Sequence, residues 1–321
     1  MKRIGISLVV MLLVAAAAGA AYTIAYQPTS EIVSPSVDNM KGFLSTPSHM
    51  LNTTLPSGPD KLMVYKSTRP DISVEREEVS SLAKQLGLTG DVSEVSGEFI
   101  RTDGLYHLEV NKNSGRVAYT DTSRWMIGND KDKPLNLPSD DEATDIARKF
   151  LIGNGLMPDD AVLCKLDHPS VVAIDKTGDV IGVGFEDVRV SFTREVDGLP
   201  VIGAGSKIDV EVGGGGDVIS MYKVWREYMP YKEFSIITPD EAFEKLKEVG
   251  IFTGIKDVET ASIDKVYLGY YAKSASEEQT YLQPVYVFEG EAKGDNETRE
   301  FVQYIPATPE LGGMELPGVK R

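Results

Sequence analysis

The chain has few of the side chains that most enzymes and metal proteins depend on. Its single cysteine, Cys164, excludes a disulfide within the chain, and the apolar residues before it predict a small buried side chain. The only histidines, His49, His107 and His168, are far apart in sequence, and none has the spacing of zinc ligands. No Gly-x-Ser-x-Gly motif marks a serine nucleophile. We therefore predict a protein that is not an enzyme and that uses no cofactor or metal.

Basic residues are also scarce. The 33 Lys and Arg residues are outnumbered by 49 Asp and Glu residues, which gives a net charge of −16. Such a chain repels phosphate backbones, and no basic stripe relieves the repulsion, so we exclude nucleic acids as partners. An acidic surface outside the cell serves solubility more often than it serves a specific partner.

Long apolar runs are confined to the N-terminus. Lys2 and Arg3 precede an uncharged run over residues 4–26. Basic residues stay on the cytoplasmic side during insertion, so we expect the rest of the chain to be extracytoplasmic. The small residues Ala18-Gly19-Ala20 fit a signal-peptide cleavage site, whereas the whole run has the ~20 residues of a spanning helix. Residues 1–26 are thus a signal peptide or a transmembrane anchor, and the protein is secreted or single-pass membrane-anchored.

The remaining sequence divides into a linker, three similar units and a tail. Residues 27–60 are rich in Pro, Ser, Thr and Asn and predict a flexible stalk. The boundaries that we predict for the rest are 61–137 for the first unit, 138–232 for the second, 233–309 for the third and 310–321 for a loose tail.

Each unit contains one segment with apolar residues at helical spacing. Ser139 to Glu142 and Thr238 to Glu241 both have the form of a capping box, in which the first side chain and the Glu side chain exchange hydrogen bonds with backbone N–H groups. Such short, one-sided helices require a surface to cover. The predicted buried faces are Val79, Leu82, Ala83 and Leu86; Ala143, Ile146, Ala147, Phe150 and Leu151; and Ala242, Phe243, Leu246 and Val249.

Alternating strands supply that surface, most clearly in the second unit. Val188, Val190, Phe192, Ile208, Val210 and Val212 alternate with Arg189, Ser191, Thr193, Asp209 and Glu211. Period two predicts an antiparallel sheet with one buried face and one solvated face. We therefore predict an α+β fold of tandem units, each with one helix packed on an antiparallel sheet. The polar set of five residues is our candidate partner surface.

The second unit resembles the PepSY and FTP-type modules of exported proteins. The resemblance is carried by Val190-Ser-Phe-Thr-Arg-Glu-Val-Asp-Gly-Leu-Pro-Val-Ile-Gly203 and the strand and Gly turn that follow. It implies a PepSY-like or cystatin-like hairpin packed against the preceding helix. In propeptides of secreted thermolysin-like metallopeptidases such modules assist folding and inhibit the enzyme, and they also occur without any peptidase. The third unit, through Tyr267–Tyr271 and Leu282–Phe288, is weakly similar to extracytoplasmic modules that regulate a cell-wall sensor kinase.

Together these features predict a non-catalytic, exported or membrane-anchored binding or regulatory module. Its partner would be another exported or membrane protein, such as a sensor or a peptidase, and the N-terminal helix would be its contact with the membrane. The alternative is an inhibitor or folding chaperone of a separate secreted peptidase. No His-Glu-x-x-His motif follows in this chain, so the peptidase would have to be a different protein.

Overall fold

The computed structural model describes residues 23–26, 44–67, 74–122, 136–174, 180–185, 187–254, 258–294 and 297–308. Most of the predicted signal peptide or anchor, residues 1–22, and the predicted tail, residues 310–321, lie outside the described residues. Within the described ranges, no helix combines the length and the apolar character that crossing a membrane requires. The last residues of the predicted leader, Thr23–Tyr26, form strand β1.

Three helices form where the sequence predicts them: α1, Arg76–Gln85; α2, Asp140–Gly153; and α3, Pro239–Val249. Both predicted capping boxes are confirmed, since Ser139 and Thr238 accept from the backbone N–H of Glu142 and Glu241. Each helix buries one face, through Val79 and Ala83, through Ala143, Ala147 and Leu151, and through Ala242 and Leu246.

Strands account for most of the described chain. Their bounds are β1 Thr23–Tyr26, β2 Leu44–Ser45, β3 Ser48–Leu51, β4 Lys61–Ser67, β5 Ser93–Val95, β6 Glu98–Asp103, β7 Tyr106–Asn111, β8 Val117–Asp121, β9 Ala161–Asp167, β10 Ser170–Ile174, β11 Val180–Phe185, β12 Asp187–Val196, β13 Leu199–Ile202, β14 Lys207–Gly213, β15 Val218–Val224, β16 Tyr228–Ser235, β17 Ile251–Phe252, β18 Val258–Tyr271, β19 Tyr281–Gly294 and β20 Thr298–Pro306. Fifteen of them join one mixed sheet, β1, β10 and β11 form a second sheet, and β2 pairs with β17.

One half of the large sheet, which we call the N-terminal half, runs in the order β9-β12-β14-β15-β8-β7-β6-β5 with antiparallel neighbours. Helices α1 and α2 lie on the same face of it and share one apolar core. That core contains the predicted inward residues Val188, Val190 and Phe192 of β12, all fully buried. The predicted face of each helix and the predicted inward side of β12 are therefore confirmed.

The other half, the C-terminal half, is built around the two longest strands, β18 and β19. β20 and β4 pair with the outer edge of β19, and β16 pairs with β4. β3 and β13 pair with the other edge of β18, and both run parallel to it. Helix α3 covers a core that includes Tyr286 and Phe288 of β19.

The prediction of tandem units, each with its own sheet, is wrong. The first and second predicted units share a sheet because β8 pairs directly with β15. The second and third are joined because β13 pairs with β18. Strand β4, which we assigned to the first unit, pairs with β16 and β19 instead. The predicted stalk also departs from expectation, since its residues 44–51 include β2 and β3, which pair with β17 and β18.

Candidate functional site

The five residues of the candidate partner surface do share the helix-free face of the N-terminal half. Arg189 on β12 forms an ion pair with Glu211 on β14, with 2.8 Å between Nη2 and Oε1. Glu211 also accepts a 2.6 Å hydrogen bond from Ser220 on β15. The three strands are thus connected by a row of polar side chains that stand opposite one another in register.

A second row of contacts lies beside the first. The Ser191 hydroxyl donates to Asp209 Oδ1 at 2.5 Å, and Lys207 Nζ lies 3.2 Å from the other oxygen of Asp209. Thr193 donates its hydroxyl proton towards the backbone carbonyls of Val201 and Ser206, at 3.0 and 3.2 Å. These side chains are held by cross-strand partners rather than displayed to solvent.

The expectation of a solvated face is wrong at its centre. Arg189 is only 7% exposed and Ser191 only 3%, while Thr193, Asp209 and Glu211 are half-buried. Period two correctly assigns the side of the sheet, but it carries no information on whether that side is covered. Binding of a partner to these five residues stays untested, and their burial removes the main reason for expecting it.

A more open polar cluster continues the same face on β6, β7 and β8. Thr102 Oγ1 lies 2.8 Å from His107 Nδ1, and His107 Nε2 lies 2.9 Å from Glu109 Oε1. Arg116 bridges Glu109 and Glu98, at 3.4 and 3.0 Å. Burial acts to raise the pKa of Glu109, but the hydrogen bond with His107 and the charge of Arg116 outweigh it and lower that pKa. These contacts pair residues across neighbouring strands, which supports a role in holding the sheet together.

An exposed apolar cluster lies at the opposite end of the large sheet. We call it the edge patch and define it by Met229, Tyr231, Phe234 and Tyr281. Met229 is 52% exposed and Tyr231 is 51% exposed, while the other two side chains are partly buried. The Tyr231 ring contacts two neighbouring rings, with its centroid 5.2 Å from that of Tyr281 and 6.4 Å from that of Phe234. Large apolar side chains grouped at a surface in this way mark interaction sites more often than isolated ones do.

The backbone of β16 explains why these side chains face outward. Among the described residues, β16 pairs only with β4, and the pairing register shifts between Pro230 and Lys232. Tyr231 is therefore an extra residue in a bulge, and bulges redirect side chains at sheet edges. One sign of this is visible in the sequence: Pro inside a strand indicates an edge, because it has no N–H to donate. The bulge also interrupts the alternation, so the pattern of apolar residues did not reveal the patch.

Two exposed lysines border the edge patch. Lys66 on β4 stands opposite both Met229 and Tyr281 in the strand register. Lys232 places its Nζ 5.4 Å from the centroid of the Phe234 ring. Neither lysine has a carboxylate within ion-pair distance in the described part of the chain.

A second, smaller apolar site lies on β9, at the edge of the N-terminal half. Val162 and Leu163 are each 38% exposed. Cys164 is exposed as well, so the predicted buried cysteine is wrong. Its thiol donates to the Ser191 carbonyl at 3.3 Å, and partial burial raises its pKa. A raised pKa disfavours the thiolate that a reactive cysteine requires.

Comparisons with known proteins add no functional information. No protein-family model matches the sequence, and no curated protein matches it. Among solved structures, the chain is similar to an uncharacterized protein from Eubacterium rectale ATCC 33656, with a TM-score of 0.45 and 13% identity over 81% of this chain and 87% of that chain. The resemblance to PepSY and FTP-type modules therefore stays a prediction from the sequence.

Proposed function

We propose that the protein is a non-catalytic, exported or membrane-anchored binding module that contacts another extracytoplasmic protein through the edge patch. The observation that carries the proposal is the cluster of Met229, Tyr231, Phe234 and Tyr281 around β16, which among the described residues pairs only with β4. Export itself is the prediction drawn from Lys2, Arg3 and the uncharged run that follows.

The chemistry of the patch suits a protein partner. Tyr and Met are enriched in the centres of protein interfaces, where they provide large contact areas. The Tyr231 ring already contacts two other rings, which reduces the side-chain freedom that is lost when a partner binds. An exposed cluster of this kind also leaves apolar area in water, and covering it is favourable at about 25 cal/mol per Å².

The same edge is poorly suited to extending the sheet with a strand from the partner. Pro230 has no N–H to offer, and the bulge at Tyr231 breaks the even spacing of backbone groups. Lys232 adds a charge that discourages edge-to-edge pairing. We therefore expect the partner to contact the side chains of the patch rather than the backbone of β16.

This function is tested by affinity capture. The full chain is captured from membranes of its native host after mild crosslinking, and the proteins recovered with it are identified. The wild type is compared with the double variant Met229→Ser and Tyr231→Ser. The matched control is Val162→Ser and Leu163→Ser, which removes exposed apolar side chains from the other sheet edge. We expect one protein to be recovered by the wild type and by the control, and to be reduced at least about tenfold with the patch variant, a change of about 1.4 kcal/mol.

Two results would contradict the proposal. Equal recovery by the patch variant and the wild type would show that the patch is not the binding surface. Loss of recovery with the β9 control alone would assign the interface to β9. Circular dichroism and thermal unfolding of each purified variant establish that it remains folded.

A further inference from the structure

We infer that the partner presents an acidic segment with apolar side chains to the edge patch. This inference rests on the proposed function and narrows the class of partner. It is carried by the two lysines, Lys66 and Lys232, which border the apolar surface and have no carboxylate partner in the described residues.

The strand register shows that β4 and β16 contribute charges of only one sign to the face that carries Met229 and Phe234. Met229, Lys232 and Phe234 stand opposite Lys66, Val64 and Leu62, so these six residues share one face of the β4–β16 pair. The only charged residues among the six are the two lysines. The acidic residue of β16, Glu233, stands opposite Met63 and therefore belongs to the other face.

Local charge and total charge act in opposite directions here. The chain carries −16 overall, which repels an acidic partner at long range. Salt screens this repulsion over roughly 8 Å at physiological ionic strength, whereas contacts to Lys66 and Lys232 act within a few ångströms. On this face, the only charges contributed by β4 and β16 are those of lysines. The face can therefore accept carboxylates, although the chain as a whole is acidic.

Apolar contacts and charged contacts would have different roles in recognising the partner. An aliphatic or aromatic side chain of the partner would pack on Tyr231 and Tyr281, while its neighbouring carboxylates would face Lys66 and Lys232. Exposed ion pairs contribute little affinity, so the rings supply most of the binding energy. The lysines mainly select among partners and accelerate association.

Selection of a random 12-residue peptide library, displayed on phage, against the full chain in detergent micelles tests the inference. We expect the enriched peptides to combine Asp or Glu with Leu, Phe, Tyr or Trp. Their affinity should fall at least about tenfold with Tyr231→Ser and about three- to tenfold with Lys66→Glu and Lys232→Glu together. Raising NaCl from about 50 to about 500 mM should weaken wild-type binding in the same direction.

The matched control places the same charge changes elsewhere, as Lys84→Glu on α1 and Lys149→Glu on α2, both exposed. It alters the net charge by the same amount and should leave peptide affinity within about twofold of wild type. The inference is overturned if no peptides are enriched, if the enriched peptides lack acidic residues, or if they bind the Lys66/Lys232 variant as tightly as the wild type. Self-association that Tyr231→Ser abolishes would instead assign the patch to a second copy of the chain.

The two experiments fail in distinguishable ways. Affinity capture depends on Met229 and Tyr231 and is indifferent to the charge of the partner. If capture succeeds while the selected peptides carry no acidic residues, the proposed function stands and the acidic character of the partner is wrong. If Tyr231→Ser leaves peptide binding unchanged and the double variant with Met229→Ser leaves capture unchanged, both proposals are wrong.

Discussion

Gly290 lies where strands β18 and β19 approach each other too closely for any side chain. A Cβ atom built on this residue would lie 1.8 Å from the Ser262 carbonyl oxygen, which is part of the backbone and cannot turn away. The close approach coincides with an irregularity in the β18–β19 register after Ile263. Glycine is therefore required here for space, in the centre of the C-terminal half.

Replacing Gly290 with Ala should destabilise the protein by about 1–3 kcal/mol, because the two longest strands must move apart. Gly153→Ala is the matched control, since a Cβ there meets nothing within 4 Å and the residue ends a helix. Urea unfolding followed by circular dichroism measures both variants. An unchanged midpoint for Gly290→Ala would show that the strands adjust without cost.

Gly198 is required for its backbone conformation instead. Asp197 and Gly198, with φ of 52° and 73°, form the two-residue turn that pairs Val196 with Leu199. Two consecutive positive φ values are typical of the type I′ hairpin turn, for which Asp-Gly is a preferred sequence. This turn can be read from Asp197-Gly198 in the sequence, because turn chemistry is local.

Gly198→Val should cost about 1–3 kcal/mol, since a β-branched residue is strained at positive φ. Gly198→Asn should cost clearly less, because Asn tolerates the left-handed region. Thermal unfolding of the two variants beside the wild type gives the comparison. Equal melting temperatures for Val and Asn would mean that the turn relaxes to another conformation.

At the scale of the element, the helices show which features of this fold are determined by short stretches of sequence. The capping boxes at Ser139 and Thr238, and the apolar faces of all three helices, were predictable because each involves residues within a few positions of one another. Phe150 and Phe243 also lie against their cores as expected, although both are only partly buried. The burial of Arg189 is the opposite case, because it depends on the packing of the whole chain, which the alternation of polar and apolar residues does not report.

The capping boxes should make stability depend on pH. Hydrogen bonds from the backbone and side chain of Ser139 lower the pKa of Glu142, and those of Thr238 lower the pKa of Glu241. Because the folded-state pKa is depressed, the stabilisation is present above the unfolded pKa of about 4.3 and is lost as pH falls through the folded value. Gln at either position keeps a hydrogen-bonding group but cannot titrate.

We therefore expect the double variant Glu142→Gln and Glu241→Gln to lose less stability than the wild type as the pH falls below about 4. Melting temperatures from about pH 3 to pH 7 provide the measurement. Glu77→Gln and Glu244→Gln, both exposed on helices, serve as the control for removing two carboxylates. Parallel curves for the wild type and the capping variant would contradict a role for these carboxylates.

At the scale of the whole molecule, the sequence determined the strands but not their neighbours. Period two identified the inward residues of β12 and β14, yet nothing in β4 indicates that it pairs with β16 and β19, more than 150 residues later. The prediction of separate units followed sequence order. The two short β13–β18 pairs, Val201 with Tyr270 and Ile202 with Tyr271, connect the halves without any local signature of their own.

Side chains reinforce this narrow connection. Arg226, only 6% exposed, follows β15 and donates to the backbone carbonyls of Lys273, Ser274 and Glu277 in the loop between β18 and β19, at 2.7, 2.7 and 2.8 Å. From the other side, Tyr65 of β4 donates to Asp197 in the β12–β13 turn at 2.6 Å. Because few strand pairs join the halves, these contacts should carry much of the coupling between them.

Arg226→Met should therefore uncouple the two halves as well as destabilise them. It removes a guanidinium group from three carbonyls, and each buried acceptor left unsatisfied costs about 1–3 kcal/mol. Trp225 packs against the apolar core of the N-terminal half, so its fluorescence reports on that half, whereas far-UV circular dichroism reports on all strands. In urea, the wild type should show one transition with both probes, and the variant should show two midpoints.

Arg148→Met is the control, since Arg148 packs over Phe192 inside the N-terminal half, and its replacement should shift the transitions seen by both probes together. A single coincident transition for Arg226→Met would mean that the shared sheet alone couples the halves.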